Sequence, residues 1–165
     1  MPKPAIFTAD EAAFLRELVS RKVDFMIVGL SAAALQGVPA VTQDIDLWFK
    51  DLDDPGIAAA LRKVGGTLVP PIGMNPPLLA GKAVELFDIV LTMHGLKSFE
   101  EEAAAALTVR LGRVKVPVLP LPRILASKKA LRRPKDKMVI PLLEDALAVI
   151  ASREKKLPSR KNKSR

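Results

Sequence analysis

Cysteine and tyrosine are absent from the 165 residues of the chain, and histidine and tryptophan occur once each. Without cysteine the chain can form neither a disulfide nor a thiolate metal site, which weakly favours a reducing cytoplasm. No segment approaches the roughly 20 apolar residues that a membrane span needs. Asp10 and Glu11 interrupt the N-terminal residues before the apolar core of a signal peptide could form. These absences predict a cytoplasmic protein without a membrane partner.

The composition predicts one domain followed by a basic tail. Hydrophobic residues make up 49% of the chain, which is enough for a core of ordinary size. Most of the net charge of +8 lies in residues 153–165, which hold seven Lys or Arg residues and one Glu. We therefore predict a single domain over 1–152 and a disordered tail over 153–165. The tail has a second interpretation as an arm for RNA, nonspecific because it lacks aromatic residues for base stacking.

Apolar patterns alternate between helical and strand periods along the chain. The predicted order is α-β-α-β-α-(β)-β-α-β-β-α-α, which indicates an α/β (α+β) fold with a mixed β-sheet flanked by helices and with C-terminal helices. Residues 72–82 are predicted to form a loop. The helix of 121–133 is broken by Pro134, and the last helix, 135–152, is predicted to be kinked or to start late at Pro141.

Two carboxylates, Asp44 and Asp46, stand two residues apart at a predicted strand, 44–49. Side chains at this spacing share one face of a strand, with Cα atoms about 6.6 Å apart. A bare, partly buried pair would raise each other's pKa, whereas a divalent cation between them would remove the repulsion. A lone Asp88 within the next long predicted strand, 83–93, is a third ligand if the two strands are adjacent. Taken one at a time, these acids are explained equally well as solvated residues at strand ends or as residues that cap turns.

The junction after the first predicted strand is a candidate phosphate site. Gly29 ends that strand, and an Ala-rich helix follows from Ser31. A helix N-terminus presents free N–H groups and the positive end of a dipole, which suit a phosphate, and Ser31 adds a hydroxyl. The same residues also fit ordinary helix capping.

These residues together resemble the signature of the nucleotidyltransferase superfamily, the DNA polymerase beta-like fold. The stretch FMIVGLSAAALQGVPAVTQDIDLWF has its strand, glycine, short helix and Asp-hydrophobic-Asp in the order of that signature. By this resemblance Gly29 is the first glycine, Thr42 the common threonine before the acids, Asp44 and Asp46 the metal pair, and Asp88 the third acid.

The C-terminal part is similar to small bacterial members of the superfamily, including toxins of type IV toxin–antitoxin systems. Lys128 and the turn Arg133-Pro134-Lys135-Asp136 fit the spacing of their helix pair. Lys128 has a second interpretation, as part of the solvated face of a helix. Leu30 departs from the pattern, because a second Gly or Ser usually stands there and a leucine side chain would crowd a triphosphate.

The resemblance implies an enzyme that transfers a nucleotide from an NTP to a hydroxyl acceptor with Mg²⁺ or Mn²⁺. Asp44, Asp46 and Asp88 would hold the metal, and Gly29, Leu30, Ser31 and Lys128 would bind the nucleotide. Arg133 and Asp136 are further candidate site residues. The favoured acceptor is RNA such as a tRNA, with an antitoxin protein as a further partner. The alternatives are a small-molecule, antibiotic-type nucleotidyltransferase, and a binding or interaction module of this fold with weakened catalysis.

Overall fold

Two β-sheets and six helices make up residues 7–156, the part of the chain that this computed structural model describes. The elements, in chain order, are α1 (Ala9–Ser20), β1 (Phe25–Val28), α2 (Gly29–Leu35), β2 (Ile45–Phe49), α3 (Pro55–Lys63), β3 (Thr67–Val69), β4 (Leu78–Ala80), β5 (Phe87–Val90), α4 (Phe99–Ala104), β6 (Leu107–Leu111), β7 (Val114–Val118), α5 (Leu121–Leu131) and α6 (Pro134–Lys156).

The larger sheet is mixed and has the strand order β5-β2-β1-β7-β6. β2 is antiparallel to β1 and parallel to β5, while β7 is parallel to β1 and antiparallel to β6. In this register Val28 lies opposite Asp46, and Asp46 lies opposite Asp88. The end of β1 and the beginning of β2 therefore meet at one edge of the sheet, beside the acid of β5.

Local capping signals set the beginnings of three helices. Thr8 and Glu11 form a reciprocal capping box at α1, as the sequence predicts. The Asp54 side chain accepts the N–H of Gly56 at α3, and the Ser98 hydroxyl accepts the N–H of Glu101 at α4. These side chains satisfy N–H groups that have no partner within the helix.

The apolar core lies between the larger sheet and the helices packed on it. All four residues of β1 are buried, as expected for a central strand. Phe14 of α1 meets Phe87 of β5 edge to face, with ring centroids 5.1 Å apart, and Trp48 meets Phe99 in the same way at 5.2 Å. The parallel pairing of β2 with β5, from Ile45 opposite Phe87 to Trp48 opposite Val90, sets the positions of their acids.

One prediction about the chain between these elements is wrong, and one of the two alternatives for the last helix is excluded. Residues 72–82 are not all loop, because Leu78–Ala80 forms β4 and pairs antiparallel with β3. The last helix does not start late at Pro141: α6 begins at Pro134 and passes through Pro141. The exposed position of Pro141 allows this, because the carbonyl that loses its N–H partner to the proline can be hydrated.

The predicted tail of 153–165 lies partly outside the described residues. Residues 153–156 are the last turn of α6, and 157–165 fall beyond the part of the chain that is described. None of the helices within 7–156 is long and apolar enough to cross a membrane.

Candidate active site

A cavity of about 500 Å³ opens where the edge of the larger sheet faces the connection between α5 and α6. Its lining combines backbone after β1, acids of β2 and β5, the segment after β5 and cations of the two helices. The predicted site residues that line it are Gly29, Leu30, Thr42, Asp44, Asp46, Asp88, Lys128, Arg133 and Asp136.

The three predicted acids converge on this cavity. Asp46 in β2 lies directly opposite Asp88 in β5 across a parallel pair, so the adjacency that the sequence could only assume is present. Asp44 stands just before β2, is exposed, and lines the same cavity. The hydroxyl of Thr42 donates to the Asp44 carbonyl over 3.0 Å and so helps to shape the chain entering the strand. We call Asp44, Asp46 and Asp88 the acid cluster.

Two carboxyl groups of the acid cluster, those of Asp46 and Asp88, have raised pKa values. Burial, with the neighbouring carboxylates of Asp88 and Asp44, raises the pKa of Asp46 to about 6, although the charges of Lys128 and Lys135 oppose the rise. Burial and the charge of Asp44 also raise the pKa of Asp88. The site therefore disfavours its own ionised form unless positive charge is added.

Gly29 makes the closest backbone approach to these acids. It has φ +65°, in the left-handed region that favours glycine, and a Cβ at this position would overlap Oδ2 of Asp46. The helix α2 begins at Gly29 rather than at Ser31, so the backbone of Gly29 and Leu30 lies at the cavity wall. The half-buried Leu30 side chain is part of that wall.

Ser31 does not line the cavity. Its buried hydroxyl donates to the Val28 carbonyl over 2.9 Å and accepts the N–H of Asp46 over 3.2 Å. These two bonds join the end of β1 to the beginning of β2. The predicted contact of this hydroxyl with phosphate has no support in the geometry, because the side chain of the third helical residue turns inward to the sheet.

A second charged group faces the acids from the helices. Asp136 is buried and accepts from Lys128 Nζ at 3.2 Å, from Arg133 Nε at 2.7 Å and from Arg133 Nη2 at 3.2 Å. The backbone N–H of Arg133 also donates to this carboxylate, over 3.1 Å. We call Lys128, Arg133 and Asp136 the elbow cluster, because Arg132 in the left-handed conformation, φ +49°, turns the chain from α5 to α6 beside it.

The carboxylate of the elbow cluster is paired with two cations. Burial alone would raise the pKa of Asp136, but hydrogen bonds from Arg133 and Lys128, with the charge of Lys128, lower it to about 2. The same pairing with Asp136, and the charge of Asp46, raise the pKa of Arg133. Lys128 is therefore committed to Asp136 rather than free in the cavity.

Lys135, which the sequence indicates only as part of the turn from Arg133 to Asp136, also lies at the cavity. It lines the cavity, is exposed, and makes no ion pair within the described residues 7–156. Its charge lowers the pKa of both Asp46 and Asp88. The only signal in the sequence was its place between Arg133 and Asp136. His94, also exposed, contributes to the opposite wall.

The acid cluster fits a hard divalent cation by the chemistry of its donors. Carboxylate oxygens are the ligands that Mg²⁺ and Mn²⁺ prefer, and the raised pKa values show that added positive charge would be stabilising. As they stand, no three His, Cys, Asp or Glu side chains between residues 7 and 156 are grouped closely enough to hold a metal ion. Asp44, Asp46 and Asp88 are the residues that would hold such a cation, and it would supply positive charge that offsets the raised pKa values of Asp46 and Asp88.

The sequence matches no protein-family profile and no curated protein. Among solved structures, the chain is similar to the crystal structure of ANT(2'')-Ia in complex with adenylyl-2''-tobramycin. The TM-score is 0.53 and the identity 17%, over 87% of this chain and 95% of that one.

The chain is also similar to the solution structure of ANT(2'')-Ia, an antibiotic-resistance factor with substrate-regulated conformation dynamics. Here the TM-score is 0.54 and the identity 18%, over 88% of this chain and 91% of that one. An antigenic nucleotidyltransferase-like protein from Paracoccidioides brasiliensis aligns with a TM-score of 0.48 and 17% identity, over 89% and 90% of the two chains. Identity this low is informative about architecture. With its mixed sheet flanked by helices, the chain has the nucleotidyltransferase fold.

Proposed function

We propose that the chain transfers a nucleotidyl group from an NTP to a hydroxyl acceptor. The observation that supports this most directly is the register that places Asp46 opposite Asp88, at a cavity whose other wall holds Lys128, Arg133 and Lys135. Acids that hold a cation, facing cations that hold phosphate, are what phosphoryl transfer requires, since positioning and charge neutralisation supply most of its rate.

The residues divide into two roles in this proposal. Asp44, Asp46 and Asp88 hold Mg²⁺ or Mn²⁺, which supplies charge neutralisation for the phosphates and activation of the acceptor hydroxyl. Lys135 and the outward N–H groups of Arg133 bind the phosphate chain. The backbone of Gly29 and Leu30 lies close to this phosphate chain.

The reaction forms one bond and breaks another at the α-phosphorus. The acceptor oxygen attacks this phosphorus, and the bond from phosphorus to the oxygen bridging to the β-phosphate breaks, so that pyrophosphate leaves. The hydroxyl proton passes to the carboxylate of Asp88. Asp88 is exposed and lines the cavity, so an acceptor hydroxyl can reach its carboxylate.

A small-molecule acceptor is the version of the proposal that the comparisons favour. The structure of ANT(2'')-Ia, which shares this fold, contains adenylyl-2''-tobramycin, a nucleotide-linked small molecule. The arguments for RNA and for an antitoxin partner rest on the tail, whose last nine residues lie outside the described chain, and on the resemblance of the helix pair. Those two partners remain predictions from the sequence.

A nucleotide-binding module without transfer is the second candidate. Leu30 favours it, because its side chain stands in the cavity wall where the phosphates would lie. The two candidates differ in turnover but not in binding. Thermal stabilisation by an NTP with Mg²⁺, without any transfer, would support the module.

The test is transfer of label from α-³²P-NTPs, one nucleotide at a time, with Mg²⁺ or Mn²⁺. The acceptors offered are tobramycin, neutral hydroxyl compounds and tRNA. We expect transfer by the wild type, and loss of transfer in Asp88→Asn with nucleotide binding retained. Undiminished transfer in Asp88→Asn, or no transfer from any NTP to any acceptor, would contradict the proposal.

A further inference from the structure

A second cavity, of about 540 Å³, lies beside the connection between β3 and β4. Eight of its ten lining residues are apolar side chains or prolines. Its two polar residues are Asp53 and Asn75, and it has no lysine or arginine. A volume of this size and an apolar lining are typical of small-molecule sites, which range from about 300 to 1,000 Å³.

The wall of this cavity is stiff and poor in hydrogen-bond donors. Prolines 70 and 71 precede the turn Ile72–Asn75, and prolines 76 and 77 follow it. The N–H of Asn75 closes that turn on the Ile72 carbonyl over 3.0 Å. Proline fixes its own φ and has no N–H, so the four prolines form a wall that recognises a ligand by shape and apolar contact.

Apolar side chains around this cavity are unusually exposed. Met74 is fully exposed, and Ile72 of the same turn and Leu91 beside it are 66% and 57% exposed. Contiguous apolar surface of this kind marks a binding site more often than a solvated one, and a methionine adapts its shape to different partners.

The second cavity adjoins the candidate active site at one residue. Leu91 lines both, and it stands three residues after Asp88 on the segment that leaves β5. A molecule whose body lies against Leu91 and Met74 can therefore extend a substituent toward the acid cluster.

We infer that the second cavity binds the body of the hydroxyl acceptor, and that this acceptor is a neutral small molecule with an aromatic or aliphatic body. The inference rests on the proposed function for the identity of the bound molecule as an acceptor. The absence of Lys and Arg from the lining argues against RNA in this cavity, because nucleic acid binding depends on neutralised phosphates. One acid, Asp53, is too little charge complementarity for a polycationic sugar.

The binding test uses 2-naphthol, a neutral aromatic hydroxyl compound, and protein with ¹³C-methyl methionine, without nucleotide or metal. Met74 reports on the second cavity, Met93 on the candidate active site, and Met138 on the exposed face of α6. We expect 2-naphthol to shift the Met74 methyl resonance in a saturable way and to leave that of Met138 in place. No saturable shift of Met74 would overturn the inference.

Two exposed methionines supply a matched pair of variants. Met74 and Met138 are 101% and 78% exposed, so Met74→Lys and Met138→Lys both leave the core intact. Replacing an apolar contact with a charge should weaken 2-naphthol binding by about tenfold in Met74→Lys, measured by equilibrium dialysis, and leave Met138→Lys unchanged. Equal affinity of the two variants would count against the second cavity as the binding site.

The acceptor role is tested by transfer of label from α-³²P-NTP to 2-naphthol, to tobramycin and to tRNA. Preferred transfer to 2-naphthol that falls in Met74→Lys and not in Met138→Lys supports the inference. Transfer to tRNA or tobramycin alone overturns it and leaves the proposed function standing. Transfer to no acceptor, with Met74 still responding to 2-naphthol, overturns the proposed function and the acceptor role with it.

Discussion

Two charged clusters face each other across the same cavity, and the pKa values of their carboxyl groups shift in opposite directions. In the elbow cluster, Lys128 and Arg133 donate to a buried Asp136, and the pKa of that carboxyl falls to about 2. In the acid cluster, burial and neighbouring carboxylates raise the pKa of Asp46 to about 6. The carboxylate of the elbow cluster has its cationic partners within the protein, whereas the carboxylates of the acid cluster lack enough positive charge around them.

The difference shows which carboxylates receive positive charge from the folded chain and which would receive it from a ligand. A buried carboxylate with cationic partners is stabilised by them, and removing a partner exposes the cost of the buried charge. Carboxylates that raise each other's pKa destabilise the folded chain at neutral pH, and such groups concentrate at functional sites. The contrast therefore distinguishes a carboxylate that is already paired within the protein from carboxylates that need positive charge from a ligand.

The largest expected effect comes from breaking the acid cluster. Asp46→Asn keeps the shape of the side chain but removes a cation ligand, so transfer should fall by about 10³-fold or more in the labelled-nucleotide assay. Glu85→Gln, which neutralises an exposed acid outside the cavity lining, is the control and should retain activity. Comparable activity in the two variants would show that Asp46 has no catalytic role.

Breaking the elbow cluster should damage stability instead. Asp136→Asn leaves Lys128 and Arg133 without their buried partner and should lower the free energy of unfolding by about 3 kcal/mol at pH 7. Glu144→Gln breaks the exposed pair with Lys129, whose ions are 3.3 Å apart, and should cost less than about 0.5 kcal/mol. Urea unfolding of both variants measures the difference. Equal losses would mean that the elbow cluster is no more than a surface ion pair.

The contact between Gly29 and Asp46 can be isolated with a second glycine. Gly29 and Gly112 have φ +65° and +61°, but a Cβ at Gly112 has no neighbour within 4 Å. Gly112→Ala should therefore show only the backbone strain, about 1 kcal/mol, whereas Gly29→Ala should cost about 2 kcal/mol more because its Cβ displaces the Asp46 carboxylate. Equal unfolding free energies in the two variants would remove the argument that Gly29 is required by the acid.

The pH dependence of stability should carry the sign of a raised pKa. Because Asp46 binds its proton more tightly in the folded chain, with a pKa of about 6 against an ordinary value of 3.8, folding is favoured by its protonated form. The wild type should lose about 1–2 kcal/mol relative to Asp46→Asn as pH rises from about 4 to about 7, without divalent metal. Unfolding measured across this range, with EDTA, gives the difference. A difference that does not change with pH would show that Asp46 is ionised without penalty.

The smallest effect expected is at Lys135. Lys135→Ala should weaken NTP binding by roughly fivefold, because the side chain contributes one exposed cation to the phosphates, and should leave stability unchanged. Lys137→Ala, two residues further along the same helix and outside the cavity lining, is the matched control. Equal affinity of both variants for NTP, measured by calorimetry, would assign the phosphate contact elsewhere.

The sequence predicts those parts of the molecule whose signals are local. The capping box of Thr8, the cap at Ser98 and the hairpin of β6 and β7 each depend on residues a few positions apart, so such features can be recognised in a sequence. The acids Asp46 and Asp88 could be nominated because a carboxylate inside an apolar strand is unusual. Their adjacency could only be assumed, since strand pairing depends on packing across the sheet.

Other features depended on tertiary contacts that no local pattern reveals. Ser31 turns inward because the Val28 carbonyl and the Asp46 N–H need a partner at the strand junction. The bound Lys128 and the free Lys135 are indistinguishable until Asp136 is seen to pair with the first. The strand β4 follows two prolines and has only three residues, so its pairing with β3 outweighs a sequence that reads as loop.

The parallel pairing of Asp46 with Asp88 also has a consequence for how the protein folds. The two acids are separated by about 40 residues of chain, and Lys135 lies nearly 50 residues further on, so the site requires several long chain closures. A fragment ending before α5 would contain all three acids of the acid cluster and none of the opposing cations Lys128, Arg133 and Lys135. A ligand that needs both groups binds only the completely assembled chain and stabilises it by about 2.7 kcal/mol at a hundred times its Kd. A ligand bound in this cavity would therefore stabilise both the strands that hold the acids and the helices that hold the cations against local unfolding. The ligand would complete the contacts between these two parts of the chain.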